Sequence, residues 1–400
     1  MGSTDKRGRR LFLDLNNAFK RDNRIDEFDY IPVMEPQTNC SPVVLVNHKL
    51  GIEMWSLKIL LQFAYHSLME WRATSKKFIE SQEIICLSRA VVLLNPECST
   101  AWNIRKEYVE SGELTMAEDL KLSALVLTKH PKSSETFCHR RWLLSRFIDI
   151  YLQSSQGSNL STGSGQEGFV SMDAIDLNMD LPQVNPPPVQ NGVHVDGPMD
   201  YQNQMKTEIH VCTCAAEKYP CNYYAWSQRI WLIQHAYNCS SQALVGELHR
   251  TEGWVSAHIS DTCGYHYRQF LLSSLCRQRE SLSQQLSLQY TDLLEKEQGY
   301  IVDLIGTFPG HEAMWCHRRF VFNSLYRHYS QDLSPGSPDR GLIGESATQR
   351  QKKTRLEFEP SEWAQKEEES VKTKELKSLS SAQKQLAQKY LDWMRKIVIK

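Results

Sequence analysis

The chain has 400 residues, 41% hydrophobic, 10% aromatic and 23% charged, enough to bury a substantial core in one to three domains. Its 46 basic residues balance 47 acidic ones, so no global field draws it onto nucleic acid or an anionic membrane, which argues against a basic DNA-binding domain. Eleven cysteines without a CxxC pair fit a reducing compartment rather than a disulfide framework.

Residues 1–45 open on MGSTDKRGRR, which is basic but has no apolar region behind it, so no secretory signal is expected. The cluster Lys6, Arg7, Arg9 and Arg10 reads as a mobile arm, and Lys6 stands where an N-myristoylation signal wants Ser or Thr. Residues 46–75 read as an amphipathic cap helix with Trp55, Ile59, Phe63 and Trp71 near one face. The longest apolar candidate, 52–69, is interrupted by Glu53, Lys58, Gln62 and His66, so no membrane insertion and a cytoplasmic location are expected.

From residue 84 the chain repeats itself. Segments 95–109, 130–144, 219–233, 258–272 and 308–322 align without gaps on an aromatic residue followed three places later by arginine. The anchors are Trp102, Phe137, Trp226, Tyr265 and Trp315; the arginines are Arg105, Arg140, Arg229, Arg268 and Arg318. Six places before the anchor stands Pro96, Pro131, Pro220 or Pro309, with Ile259 in the fourth copy. Each turn follows a helix-periodic segment (84–94, 117–129, 207–218, 243–255, 295–307), which the proline ends because it lacks an N–H and disfavours helical geometry in the residue before it. Ser99, Ser133, Asn222, Ser260 or Asp261, and Gly310 are cap or turn candidates for the second helix.

A single helical hairpin cannot bury its own apolar face, so the expected fold class is all-α, a right-handed α-α superhelix of five stacked hairpins with helical caps. The predicted layout is a cap helix and repeats one and two over 46–152, repeats three to five over 205–329, and a final helix over 375–400. Between them, 153–204 is rich in Ser, Gly, Pro and Asn and reads as a disordered acidic insertion, and 330–374 as a charged linker.

Anchor and arginine share a helical face. One role for them is structural, the ring between hairpins and the guanidinium on it or on nearby carbonyls; another is presentation to a partner. A histidine precedes the arginine at His139 and His317, equivalent positions that suit pairing with a partner or a neighbouring repeat rather than metal ligation; the other copies have Ile104, Gln228 and Tyr267. No metal-binding spacing, phosphate loop or nucleophile elbow is present, so no catalytic residue is expected on this chain alone.

The segments HPKSSETFCHRRW and YPCNYYAWSQRIW, and with them 84–329 apart from the insertion, resemble the repeats of protein prenyltransferase alpha subunits. The resemblance implies a crescent of hairpins around a beta subunit, here of the Rab geranylgeranyltransferase type, with the catalytic zinc and lipid pocket on that partner. It also implies geranylgeranyl diphosphate as co-substrate at the interface and protein substrates with a C-terminal cysteine. It carries Lys132, Asn222 and Tyr223 over as groups facing the diphosphate, where a cation stabilises leaving-group charge. Read without the resemblance, Lys132 is a solvated lysine in a turn. The family's tyrosine three places before the anchor is Ser134 in the second repeat. The alternative is a tetratricopeptide-like interaction scaffold without prenyl transfer, but no Leu-Gly pair follows any anchor.

Overall fold

The computed structural model describes residues 3–37, 40–74, 79–157, 200–279, 284–332, 360–378 and 380–398, within which lie fourteen helices and three short strands. They divide into two compact units, one running to Asn238 and the other starting at Cys239.

The first unit opens with α1 (Ser3–Arg21), whose Leu11, Phe12, Leu15 and Ala18 recur at helical spacing and are buried. Strands β1 (Glu27–Ile31), β2 (Val43–Val46) and β3 (Lys49–Glu53) form a sheet of order β1-β3-β2, with β1 parallel and β2 antiparallel to β3. Asn47 and His48 close the β2–β3 hairpin at φ 48° and 64°, the two-residue turn whose twist matches the strands. Helix α2 (Met54–Ala73) follows directly and buries Ser56, Leu60, Ala64, Leu68 and Trp71.

Two sequence expectations are corrected here. The described part of 1–45 is not a mobile arm: the apolar face of α1 joins Leu60, Ala64 and Leu68 in one core cluster and is removed from water there. The cap helix starts at Met54 rather than residue 46, because Val46 ends β2 and Lys49–Glu53 pairs back onto it as β3 across the left-handed turn. Trp55, Ile59 and Phe63 lie only partly buried beside that core, with Phe63 5.8 Å from Phe12 and Arg7 4.7 Å over Trp55.

Three hairpins complete this unit: α3 (Ser81–Leu94) with α4 (Ser99–Glu110), α5 (Met116–Lys129) with α6 (Ser134–Gly157), and α7 (Tyr201–Lys218) with α8 (Tyr223–His235). Caps explain most of the boundaries. Thr115 and Glu118 form a capping box on α5, and Ser133 and Asn222 accept from Thr136 N and Ala225 N at the starts of α6 and α8. Ser99 instead lies inside α4, whose N-cap is Cys98. Both ends of the expected 153–204 insertion are helical, in α6 and α7, and 158–199 lie outside the described residues.

The second unit holds α9 (Ser241–Ala257) with α10 (Thr262–Arg279), α11 (Gln284–Thr307) with α12 (Glu312–Asp332), and α13 (Pro360–Lys374) with α14 (Ser381–Val398). Asp261 rather than Ser260 caps α10, accepting from Cys263 N and Gly264 N. Gly310 adopts φ 95° in the turn before α12 and donates its N–H to Gln383 Oε1. The 330–374 linker is corrected at its end: α13 buries Ala364, Glu367 and Val371 and forms with α14 a sixth hairpin. The stretch 333–359 lies outside the described residues. Among the described residues the chain is therefore built of helical-hairpin repeats with a small sheet added.

Candidate functional site

Of the fifteen residues singled out from sequence, the twelve repeat anchors, arginines and histidines are all buried: Trp102, Arg105, Phe137, His139, Arg140, Trp226, Arg229, Tyr265, Arg268, Trp315, His317 and Arg318. Buried charges persist only where they are paired and hydrogen-bonded. Arg105 donates from Nε to Asp119 Oδ1 (2.6 Å) and from Nη1 to Ile85 O and Ser88 Oγ (3.0 Å each). Arg140 grips Glu208 through Nε and Nη2, and its Nη1 reaches Leu120 O and Ser123 Oγ. Arg268 treats Glu297, Leu248 O and Thr251 Oγ1 in the same way. Arg318 instead spans Glu367 and Glu375, and Arg229 donates to Thr213 Oγ1.

Each carboxylate also accepts from the residue preceding the next repeat's arginine. His139 Nε2 bonds Asp119 Oδ2 (2.6 Å), Gln228 Nε2 bonds Glu208 Oε1 (3.0 Å), Tyr267 Oη bonds Glu247 Oε2 (2.6 Å) and His317 Nε2 bonds Glu297 Oε1 (2.7 Å). Tyr390 takes that part in the sixth hairpin, donating to Glu367 Oε1 at 2.8 Å. The result within each unit is a buried ladder in which a carboxylate of one hairpin is shared by the arginine before it and by its own second helix.

The rings follow the same register. His139 stacks 4.5 Å from Trp102, His317 lies 5.2 Å from Tyr265, and Tyr390 5.4 Å from Trp315. Burial pushes the Asp119 carboxyl up, and Arg105 and His139 outweigh it, holding the group below its usual value. Burial lowers His139 against the opposing pull of Asp119, so it stays a neutral donor at neutral pH. All twelve are thus buried inside the chain, and nine of them, all but Phe137, Trp226 and Arg229, are seen to join repeat to repeat; the reading in which they meet a partner does not hold, since none is accessible.

The sequence signal for the carboxylates sits outside the aligned segments. Asp119, Glu208, Glu247 and Glu297 each stand 20 residues before their His, Gln or Tyr partner. The first repeat has no arginine ahead of it, and the two corresponding places hold Ile84 and Ile104, both with 0% exposure. An apolar pair replaces the polar one where the ladder starts.

The three residues linked by resemblance to a diphosphate separate into two kinds. Asn222 is fully buried: its Oδ1 caps α8 and its Nδ2 donates to Ala215 O (3.0 Å) and Pro131 O (2.6 Å). It is corrected from a ligand-facing group to the bolt that holds the second and third proline turns together, because an uncapped helix start and an orphaned carbonyl are costly. That bolt puts Lys132, from the second turn, and Tyr223, the first residue of α8, on one edge of the unit. Both are exposed, Tyr223 at 64%.

The Lys132 ammonium lies 4.4 Å over the Tyr219 ring, a cation–π contact that orients it without neutralising it. Neighbouring cations are engaged: Lys129 pairs with Asp29, and Lys218 donates to Thr128 O (2.9 Å) and Glu27 Oε1 (3.4 Å). Among the described residues no carboxylate pairs with Lys132. The edge therefore offers an uncompensated ammonium and an exposed phenol, groups suited to anionic oxygens. Among the described residues no three His, Cys, Asp or Glu side chains converge on a metal-sized site, and no helix is long and apolar enough to cross a membrane.

The model of the protein prenyltransferase alpha subunit repeat matches residues 116–147 and 205–236, the two hairpins that carry Lys132, Asn222 and Tyr223. The chain is 36% identical over 362 residues to protein prenyltransferase alpha subunit repeat-containing protein 1-A of Xenopus laevis, covering 83% of this chain and 76% of that one. It is 37% identical over 339 residues to protein prenyltransferase alpha subunit repeat-containing protein 1 of Homo sapiens, covering 78% and 76%. The geranylgeranyl transferase type-2 subunit alpha of Mus musculus is more distant, at 22% identity over 257 residues, 62% of this chain and 35% of that one. Identity of this extent, on a chain of hairpins joined by the aromatic–arginine ladder, places it in the family of protein prenyltransferase alpha subunit repeat-containing proteins.

Proposed function

We propose that this chain is an alpha-type subunit that scaffolds a zinc-bearing prenyltransferase beta subunit of the Rab type. In the complex, a geranylgeranyl group passes from its diphosphate to a C-terminal cysteine of a protein substrate. The observation that carries this reading is the exposed, uncompensated Lys132 in the turn that Asn222 ties to the start of α8, in the two hairpins that match the alpha-subunit repeat. The distant relative named as a type-2 geranylgeranyl transferase subunit favours that lipid and that class of partner.

As the allylic C–O bond breaks, negative charge gathers on the departing diphosphate, and an ammonium fixed beforehand stabilises it without reorganisation. Tyr223 would donate a hydrogen bond to the same oxygens. Zinc would activate the thiol from the partner's side; this chain positions and neutralises charge, and no turnover is expected from it alone. Co-expression with the farnesyl, type I and Rab-type beta subunits, followed by size-exclusion chromatography and a labelled-isoprenoid assay, tests the reading. A one-to-one complex with the Rab-type subunit, active with geranylgeranyl diphosphate, is the expected result. Lys132→Ala should leave assembly intact and lower turnover by about 10- to 100-fold. Wild-type rates in that variant would remove Lys132 from the site, and failure to bind any beta subunit would overturn the proposal.

A further inference from the structure

We infer that the outer face of α1 docks on an anionic phospholipid surface. The near-neutral charge of the whole chain conceals a local concentration: α1 carries six cations, Lys6, Arg7, Arg9, Arg10, Lys20 and Arg21, against Asp5 and Asp14. Lys6, Arg10, Leu13, Asn17 and Lys20 are spaced 4, 3, 4 and 3 apart, so they line a single helical stripe, with Arg9 and Arg21 flanking it. All seven are exposed. Among the described residues no carboxylate pairs with Lys6, Arg9, Arg10, Lys20 or Arg21, and Asp14 is occupied by Ser41 Oγ at 3.0 Å.

The helix beneath the stripe is fixed in place. Its opposite face buries Leu11, Phe12 and Leu15, and at Gly8 it approaches α2 so closely that a Cβ would lie 2.5 Å from Phe63 Cβ. The cations therefore need little ordering before they can bind, and nineteen residues of helix give a ridge about 28 Å long. Leu13 is 50% exposed in the middle of that ridge, and β2, packed alongside α1, exposes Val46 at 57%. Aliphatic side chains among cations gain at a lipid interface and lose against a phosphodiester backbone, which selects a membrane over nucleic acid. The ridge lies on different elements from Lys132 and Tyr223, so the inference stands apart from the proposed transferase role.

Sedimentation of the full chain with vesicles of phosphatidylcholine, with and without phosphatidylserine, tests it. Binding is expected only to the phosphatidylserine vesicles and should weaken as salt shortens the screening length. Arg10→Glu with Lys20→Glu should weaken it by at least about 20-fold, taking about fivefold for each surface cation. Leu13→Asp should weaken it several-fold, and Lys132→Ala should bind as the wild type does. Unchanged circular dichroism in the variants would confirm that α1 remains folded. Equal binding to neutral vesicles, no binding near physiological ionic strength, or tighter retention of an oligonucleotide that Leu13→Asp leaves untouched would each overturn the inference.

Discussion

Replacing Glu297 with Gln isolates one rung of the ladder. Glu297 is shared by Arg268, which donates from Nε at 2.7 Å, and by His317 Nε2, also at 2.7 Å. Burial alone would push its carboxyl up, but the His317 and Arg268 hydrogen bonds outweigh that and hold it at about 2, against an ordinary value of 4.5. At 1.36 kcal/mol per unit, that displacement amounts to about 3 kcal/mol of stability from the ionised form. Removing one partner of a buried pair costs about 3–5 kcal/mol by general experience, in agreement with that figure. Because the folded value is depressed, the contribution is present above the unfolded value near 4.5 and is lost as pH falls towards 2. Urea unfolding of wild type and Glu297→Gln should therefore differ by about 3 kcal/mol at pH 7, and the gap should shrink steadily below pH 4.5. A gap under about 1 kcal/mol at pH 7, or one that persists unchanged into acid, would refute this account of what joins the repeats.

Two other substitutions probe the same ladder. The third repeat uses Gln228 where the second uses His139, so His139→Gln should cost under about 1 kcal/mol in thermal or denaturant unfolding, whereas His139→Leu should cost about 1–3 by stripping a donor from buried Asp119. Trp315→Ala empties a site that is 1% exposed and packed 5.4 Å from Tyr390, and should lower stability by about 3–5 kcal/mol in the same assay.

The hairpin architecture was legible because its punctuation is local. Proline cannot continue a helix already begun, and an aromatic residue three places before an arginine falls on one helical face whatever surrounds it. The α1 face was legible in principle too, since Leu11, Phe12, Leu15 and Ala18 keep the helical period, but the basic residues around them suit a solvated arm equally well. The candidate edge was half legible: Lys132 and Tyr223 are both exposed, whereas Asn222, adjacent in sequence to Tyr223, turns inward. Nothing in the tripeptide Asn222-Tyr223-Tyr224 distinguishes a cap from a ligand, because the difference lies in where Pro131 O sits, 91 residues away.

By itself, then, the sequence determined the register of five of the six hairpins and the positions of their anchors, since those depend on interactions spanning a few residues. Only the tertiary structure decided what the anchors do. A guanidinium that could equally meet a partner becomes a buried joint once the carboxylates of Asp119, Glu208, Glu297 and Glu367 reach it from the following hairpin. Their separation from the arginine ranges from 14 to 68 residues with the length of the intervening chain, so no fixed spacing announces the pair. Stacking the helices brings them together, because a buried charge is stable only where an opposite one meets it.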